Sequence, residues 1–476
     1  MKFFPAVIAT LMGTALPQYG FISGAFGLST SPQQKAIKPQ ASNVHIQVLE
    51  TKLGLKIWYV HTPDIPVISA TITFTNAGAK ADPKGKAGLT MVLGELLNEG
   101  AGELSATAYK RYLLEKNISL DIGASPDTFN FSMRTIKDNA KDAFDLIKKI
   151  LTQPRFDKDA QSRVKQQLLT ELMQANFSEH AVASDVFNQK AFPGHPYGIS
   201  LKATINELPL IRVDDFHAFM KERFARDQLV ISIASSLEAD ALKEMIDQTF
   251  EPLVDKAAPL AIDFISPHSD GSLTVVPMDI PQSAILFYQP GISRQDPDFY
   301  AAYLLAKILG DSEFHSRLWN EVRERRGLTY GIGIDLMWQK NSHYILGHTS
   351  TQNTKVKEVI DIIKEQWQLI KDKGVSEDEL RFIKDRLTGG YPLGFSSTNK
   401  IAALMRNYQL DGLDPDFINR RNEMIERVTI EDVNRVAKTL IHPEQLTIIV
   451  VGKPENITTS SAPDLAPIKS PSSVNQ

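Results

Sequence analysis

Cysteine is absent from this sequence. That excludes a disulfide framework, a thiolate metal site, a cysteine nucleophile and a lipidated N-terminal cysteine, and it suits an oxidising compartment where stray thiols are a liability. Neither sign of charge prevails. With 52 Lys and Arg against 56 Asp and Glu the net charge is −4, so electrostatics gives no ground for a nucleic-acid partner. Beyond the N-terminal stretch, no run reaches the roughly eighteen consecutive apolar residues that a spanning helix needs. The ten histidines are scattered. Only His343 and His348 approach each other, and their odd separation in a β-like stretch puts them on opposite faces. His195 lies in the turn-rich Gly194-His195-Pro196-Tyr197-Gly198 and reads as structural. Gly331-Ile332-Gly333 lacks the third glycine of a dinucleotide fingerprint, and there is no phosphate loop or serine nucleophile elbow.

What is present is an ordinary globular composition, 42% hydrophobic and 23% charged, in a chain of 476 residues long enough for two to four domains. Residues 1–42 form a leader and linker. Met1-Lys2 is followed by an uncharged, mostly apolar run with small-x-small cleavage candidates after Ala15 and Ala25, as in a secretory signal. The expected location is periplasmic or secreted, with no membrane span after cleavage. The alternative is a membrane anchor, if the leader stays. Alternating stretches from His45 to Val60 and from Val67 to Ala79 read as half-buried strands. Helical patterns run over 88–99, 106–115 and 140–151, with a strand pair at 119–122 and 128–134. Residues 456–476 are polar, aperiodic and expected to be a disordered tail.

The chain repeats itself. Val213-Asp214-Asp215-Phe216, a helix, and then Asp227-Gln228-Leu229-Val230 match Ile430-Glu431-Asp432-Val433 and Glu444-Gln445-Leu446-Thr447 at a constant offset of 217 residues. A period this long is a duplicated domain, not a solenoid. The expected architecture is α+β, with two homologous halves at 43–250 and 272–455 joined by a linker at 251–271.

Ser316 to Asp335 draws most attention. It reads as a charged amphipathic helix stopped at Gly327, followed by a strand that opens at Leu328 and Thr329. Leu318 and Val322 share a helical face from which Arg323 points away, and strand parity groups Tyr330 with Ile332 and Ile334. By itself this is a helix-end charge and a half-buried strand tyrosine. The series Ser-Arg-Leu, Val-Arg, Arg-Gly-Leu-Thr-Tyr nevertheless resembles the second-half signature of the M16 zinc metallopeptidases, the insulinase and mitochondrial processing peptidase group. The resemblance covers nearly all of the chain outside leader and tail. It implies two α/β-sandwich halves forming a clam-like chamber, with Arg323 and Tyr330 holding substrate peptide against a zinc site on another domain.

Catalytic members of that family carry H-x-x-E-H on a first-half helix, two histidines for zinc and a glutamate to polarise water. Here the frame Gly88 to Leu97 survives, but Met91, Gly94 and Glu95 stand at the histidine, glutamate and histidine positions. A thioether is a poor zinc ligand and Gly94 has no base to offer. On a helical wheel Leu89, Val92, Leu93, Leu96 and Leu97 form the core stripe, leaving Met91, Gly94, Glu95 and Asn98 for the face toward the cleft. Glu171, seventy-six residues beyond Glu95, is a retained acidic residue at the spacing of the third zinc ligand. The expectation is therefore no metal and no cofactor in this chain. The resemblance implies a zinc-less subunit that supplies Arg323 and Tyr330 to a homologous M16 subunit bearing H-x-x-E-H and the zinc, acting on short or unfolded peptides. A non-catalytic scaffold or peptide-binding protein of the same fold is the alternative.

Overall fold

The computed structural model describes residues 44–311 and 315–457. The leader at 1–42 and the tail beyond residue 457 lie outside the described residues. Eleven strands form two sheets among these residues. The first half contributes β1 (Gln47–Glu50), β2 (Lys56–His61), β3 (Val67–Thr75), β4 (Ser119–Ala124), β5 (Thr128–Ile136) and β6 (Leu229–Ser235). The second contributes β7 (Leu273–Pro277), β8 (Gln282–Pro290), β9 (Thr329–Gln339), β10 (Ser342–Gln352) and β11 (Thr447–Gly452). Strand order is β1-β2-β6-β3-β5-β4 in one sheet and β7-β11-β8-β10-β9 in the other. Setting aside the edge strand β1, the two orders superimpose. Each sheet has one parallel pair, β2 with β6 and β7 with β11, and antiparallel pairs elsewhere. The internal repeat is thus a repeat of topology.

Alternation along β3 shows how each half uses its sheet. Ile68, Ala70, Ile72 and Phe74 are buried in a core beneath the first-half helices, together with Leu89, Val92, Leu93, Phe129 and Phe131. The intervening Ser69, Thr71 and Thr73 face the other way and are also buried. What covers them is a helix of the second half, Thr398–Leu410. Ser69 and Thr398 share a hydroxyl hydrogen bond of 2.8 Å, the Thr71 hydroxyl donates to the Ala402 carbonyl, and Gln409 donates to the Ser232 hydroxyl at 2.6 Å. The second sheet receives the same treatment in return. The first-half helix Glu179–Ala191 lays Ala183, Val186 and Phe187 on Leu286, Tyr288, Ile449 and Val451. The halves therefore exchange helices.

Two further contacts hold them. The hairpin between β9 and β10 reaches into the first half, where Lys80, buried and paired with Asp127 at 2.6 Å, donates to the Asn341 side chain at 2.7 Å. The Tyr197 hydroxyl donates to Asp127 at 2.5 Å. The linker is strapped over both: Ala258 N–H donates to Glu222, Ile265 N–H to Asn341 and His268 N–H to Ala191. His195 takes part in this seam, accepting from Tyr197 N–H and lying 3.1 Å from the Asp263 carbonyl.

Candidate functional site

The helix over Leu89–Leu97 starts at Gly88, which has a left-handed φ of 89°. Its exposed N–H groups are capped from a distance: Asp82 accepts from Gly88 N–H at 2.8 Å and from Thr90 N–H at 3.0 Å. Burial pushes the Asp82 carboxyl up to about 7, against the lowering effect of those hydrogen bonds. As the wheel predicts, Leu89, Val92, Leu93, Leu96 and Leu97 face the core.

The polar side of this helix differs from the expected one at Gly94. That residue is buried against the edge strand β4, and a Cβ there would lie 3.2 Å from the Gly123 Cα and 3.6 Å from the Ile122 carbonyl. Two glycines facing each other let helix and strand approach closely. The wheel cannot show this, because it ranks faces by side-chain polarity and glycine has none. Met91 and Glu95 remain accessible.

Glu95 shares its surroundings with other acids. Its pKa is raised, first by desolvation and then by the negative charges of Glu171, Asp121 and Glu99. Glu171 sits on the helix Lys158–Ala175, whose Val164, Leu168 and Leu172 are buried. One Glu171 oxygen accepts from Gln167 at 3.0 Å and the other is buried without a partner. Glu95 and Glu171 are thus brought near each other, at the third-ligand spacing seen in the sequence. They do not fit zinc: among the described residues no group of three His, Cys, Asp or Glu is placed to hold a metal ion. A thioether and two carboxylates, with no imidazole and no adjacent base, are also the wrong donor set.

Arg323 and Tyr330 lie on the other half. The expected helix is present, but after its first two residues it continues as a π-helical turn over Trp319–Glu324 and is stopped at Gly327 with φ 61°. The Arg325 N–H donates to the Asn320 carbonyl, five residues back. The widened turn lays Arg323 along Trp319, with its guanidinium carbon 4.1 Å from that ring centroid and 5.6 Å from the Tyr330 ring. Strand parity fails for Tyr330. Ile332 and Ile334 are buried, yet Tyr330 is 92% exposed.

The cause is a bulge in the β9–β10 ladder: Thr349 pairs with Ile332 and Thr351 with Thr329, so Tyr330 and Gly331 together oppose Ser350. The Thr329 hydroxyl pins the bulge through contacts to the Gly331 and Ser350 carbonyls and the Thr349 hydroxyl. Sequence reasoning missed it. A Gly at the second bulge position, directly after Tyr330 near the start of the strand, was the available signal.

His343 and His348 do lie on opposite faces of β10. His343 packs against Phe264, while His348 lines a cavity that Met91 and Asp335 also border.

The fold defines a duplicated α/β protein of two topologically equivalent halves whose first-half helix carries no imidazole. Residues 57–205 match the family profile described as Insulinase (Peptidase family M16), and residues 211–387 match the one described as Peptidase M16 inactive domain. The chain belongs to peptidase family M16. It is 24% identical to the "Non-peptidase homolog YmxG" of Helicobacter pylori over 81% of this chain and 89% of that protein. Among solved structures it resembles a peptidase M16 inactive domain from Pseudomonas fluorescens, with a TM-score of 0.80, 22% identity, and coverage of 86% of this chain and 98% of that one. It also resembles the periplasmic protease PqqL from Escherichia coli, with a TM-score of 0.73, 16% identity, and coverage of 93% of this chain but 49% of that one. Among the described residues no helix is long and apolar enough to cross a membrane.

Proposed function

We propose that this chain is the zinc-less subunit of a two-subunit M16 peptidase in the periplasm or outside the cell. It supplies Arg323 and Tyr330 to a homologous partner that carries H-x-x-E-H and the zinc. The observation that carries this reading is the ledge formed by the π-turn and the bulge. Burying Tyr330 would be the ordinary outcome for a strand aromatic, yet here a bulge turns it into solvent beside a guanidinium backed by Trp319. On this ledge the Arg323 guanidinium and the Tyr330 phenol stand side by side at the surface. They suit the carbonyl of a scissile peptide and the oxyanion that forms when water attacks it. Zinc bound by the partner supplies the polarised water.

The test is hydrolysis of short, unfolded peptides by this chain, by the zinc-bearing homologue, and by the two co-expressed. Cleavage by the pair alone, lost in Arg323→Ala, is the expected result. The similarity to a protein named a non-peptidase homolog favours a second reading, a peptide-binding scaffold. That reading predicts assembly and peptide capture without cleavage in any combination.

A further inference from the structure

Beside the exchanged helix Glu179–Ala191 lies a cavity of about 490 Å³, within the range of about 300–1,000 Å³ usual for ligand sites. Its origin is topological. The helix lies over β11 and β8, so the adjoining face of β10 and β9 is left to line a hollow, closed on its far side by the loop ahead of Met91. One wall is aromatic: Phe187, Phe192 and Tyr344 meet with centroids 5.4–5.7 Å apart. Another is the strand β9, which presents Asp335, Met337 and Gln339 at alternate positions.

Two oxygen acceptors thus stand at the ends of a thioether floor, separated by four residues of strand, about 13 Å of backbone. The Gln339 side-chain oxygen is buried and accepts no hydrogen bond. A buried acceptor without a donor is unfavourable, and turning the Gln339 amide into the cavity, where a ligand N–H or O–H meets it, relieves this. Asp335 forms a long ion pair of 4.0 Å with Lys307, which does not line the cavity, and Lys80 in the wall is paired with Asp127 at 2.6 Å. His348 beside Asp335 is held below its ordinary range by desolvation.

The geometry points to a binding site for an aromatic amine with a second donor on its ring, the ring against Phe187 and Tyr344, the ammonium toward Asp335 and the ring donor toward Gln339. The source is either a free amine or the N-terminal tryptophan or tyrosine of a peptide. This site goes beyond the peptidase reading and requires neither Arg323 nor Tyr330.

Calorimetric titration of the full chain tests it, using tryptamine, 1-methyltryptamine, the peptide Trp-Gly-Gly and indole-3-acetate as probes. Saturable 1:1 binding of tryptamine, of the peptide or of both is expected, with Kd of about 1 mM or tighter and indole-3-acetate at least tenfold weaker. Gln339→Leu weakens tryptamine about tenfold but leaves 1-methyltryptamine unchanged, and Ser184→Trp, which fills the cavity from the exchanged helix, abolishes binding. Binding of tryptamine assigns the site to free amines, and binding of the peptide alone assigns it to chain termini. No saturable binding of either, equal affinity for the anionic probe, or equal loss of both tryptamines in Gln339→Leu overturns the proposal. Should Ser184→Trp fail to fold, the comparison of the two tryptamines in Gln339→Leu decides.

Discussion

Replacing Phe187 by alanine tests whether the exchanged helices make the two halves one unit. Phe187 belongs to the first half by sequence but is buried against the second, with its ring 4.8 Å from Tyr288, 5.4 Å from Tyr344 and 5.5 Å from Phe192. Truncating a buried phenylalanine costs about 3–5 kcal/mol, and here the lost ring enlarges the cavity that Phe187 already borders. How that energy appears depends on what melts together. Unfolding entropy is about 2.1 cal/mol/K per residue, so a loss of ~4 kcal/mol lowers Tm by roughly 5 °C if about 400 residues unfold at once. If the second half unfolds alone, the same loss falls on about 190 residues and lowers Tm by roughly 10 °C. Calorimetry of the wild type and of Phe187→Ala separates the cases. One transition displaced by the smaller amount is expected, because each sheet has lost one cover if either half unfolds. Two transitions, with only one displaced and by the larger amount, refute the reasoning.

Tyr330→Phe should leave stability within about 0.5 kcal/mol of wild type, as Tyr330 stands in solvent. In the paired complex Arg323→Ala should reduce kcat/KM by about 100-fold or more, and unchanged turnover would remove the role assigned to it. Asp82 predicts a pH dependence of stability. Its folded value is raised from 3.8 to about 7, so the folded state binds more protons than the unfolded one between these values. Stability therefore falls as pH rises from about 4 to about 7, by up to about 1.4 kcal/mol per pH unit, and is level above. Chemical denaturation of Asp82→Asn should show a flatter profile over that window, and an unaltered profile would show that another group titrates. The double substitution Met91→His with Glu95→His, which sets two imidazoles beside Glu171, should give one bound zinc by calorimetry but no hydrolysis, since Gly94 still offers no base. Zinc bound equally well by the wild type would contradict the account of this helix.

The sequence by itself carried the local chemistry. Periodicities of two and near 3.6 mark β3 and the Leu89–Leu97 helix because each turns its apolar side chains to one face, toward the first-half core. The repeat at 217 residues reports a duplicated topology because equivalent strands need equivalent patterns. That Met91, Gly94 and Glu95 bring no imidazole to this helix is residue identity alone. Tertiary structure decided the rest. A sequence cannot state which sheet an amphipathic helix will cover, so the exchange of Glu179–Ala191 and Thr398–Leu410 between halves was not legible; either sheet offers such a helix a suitable face. Gly94 is buried because Gly123 faces it from another element, a complementarity that exists only after folding. Tyr330 stands in solvent because its neighbour strand is one residue short opposite Gly331, and parity read along a single strand holds only while the ladder is unbroken.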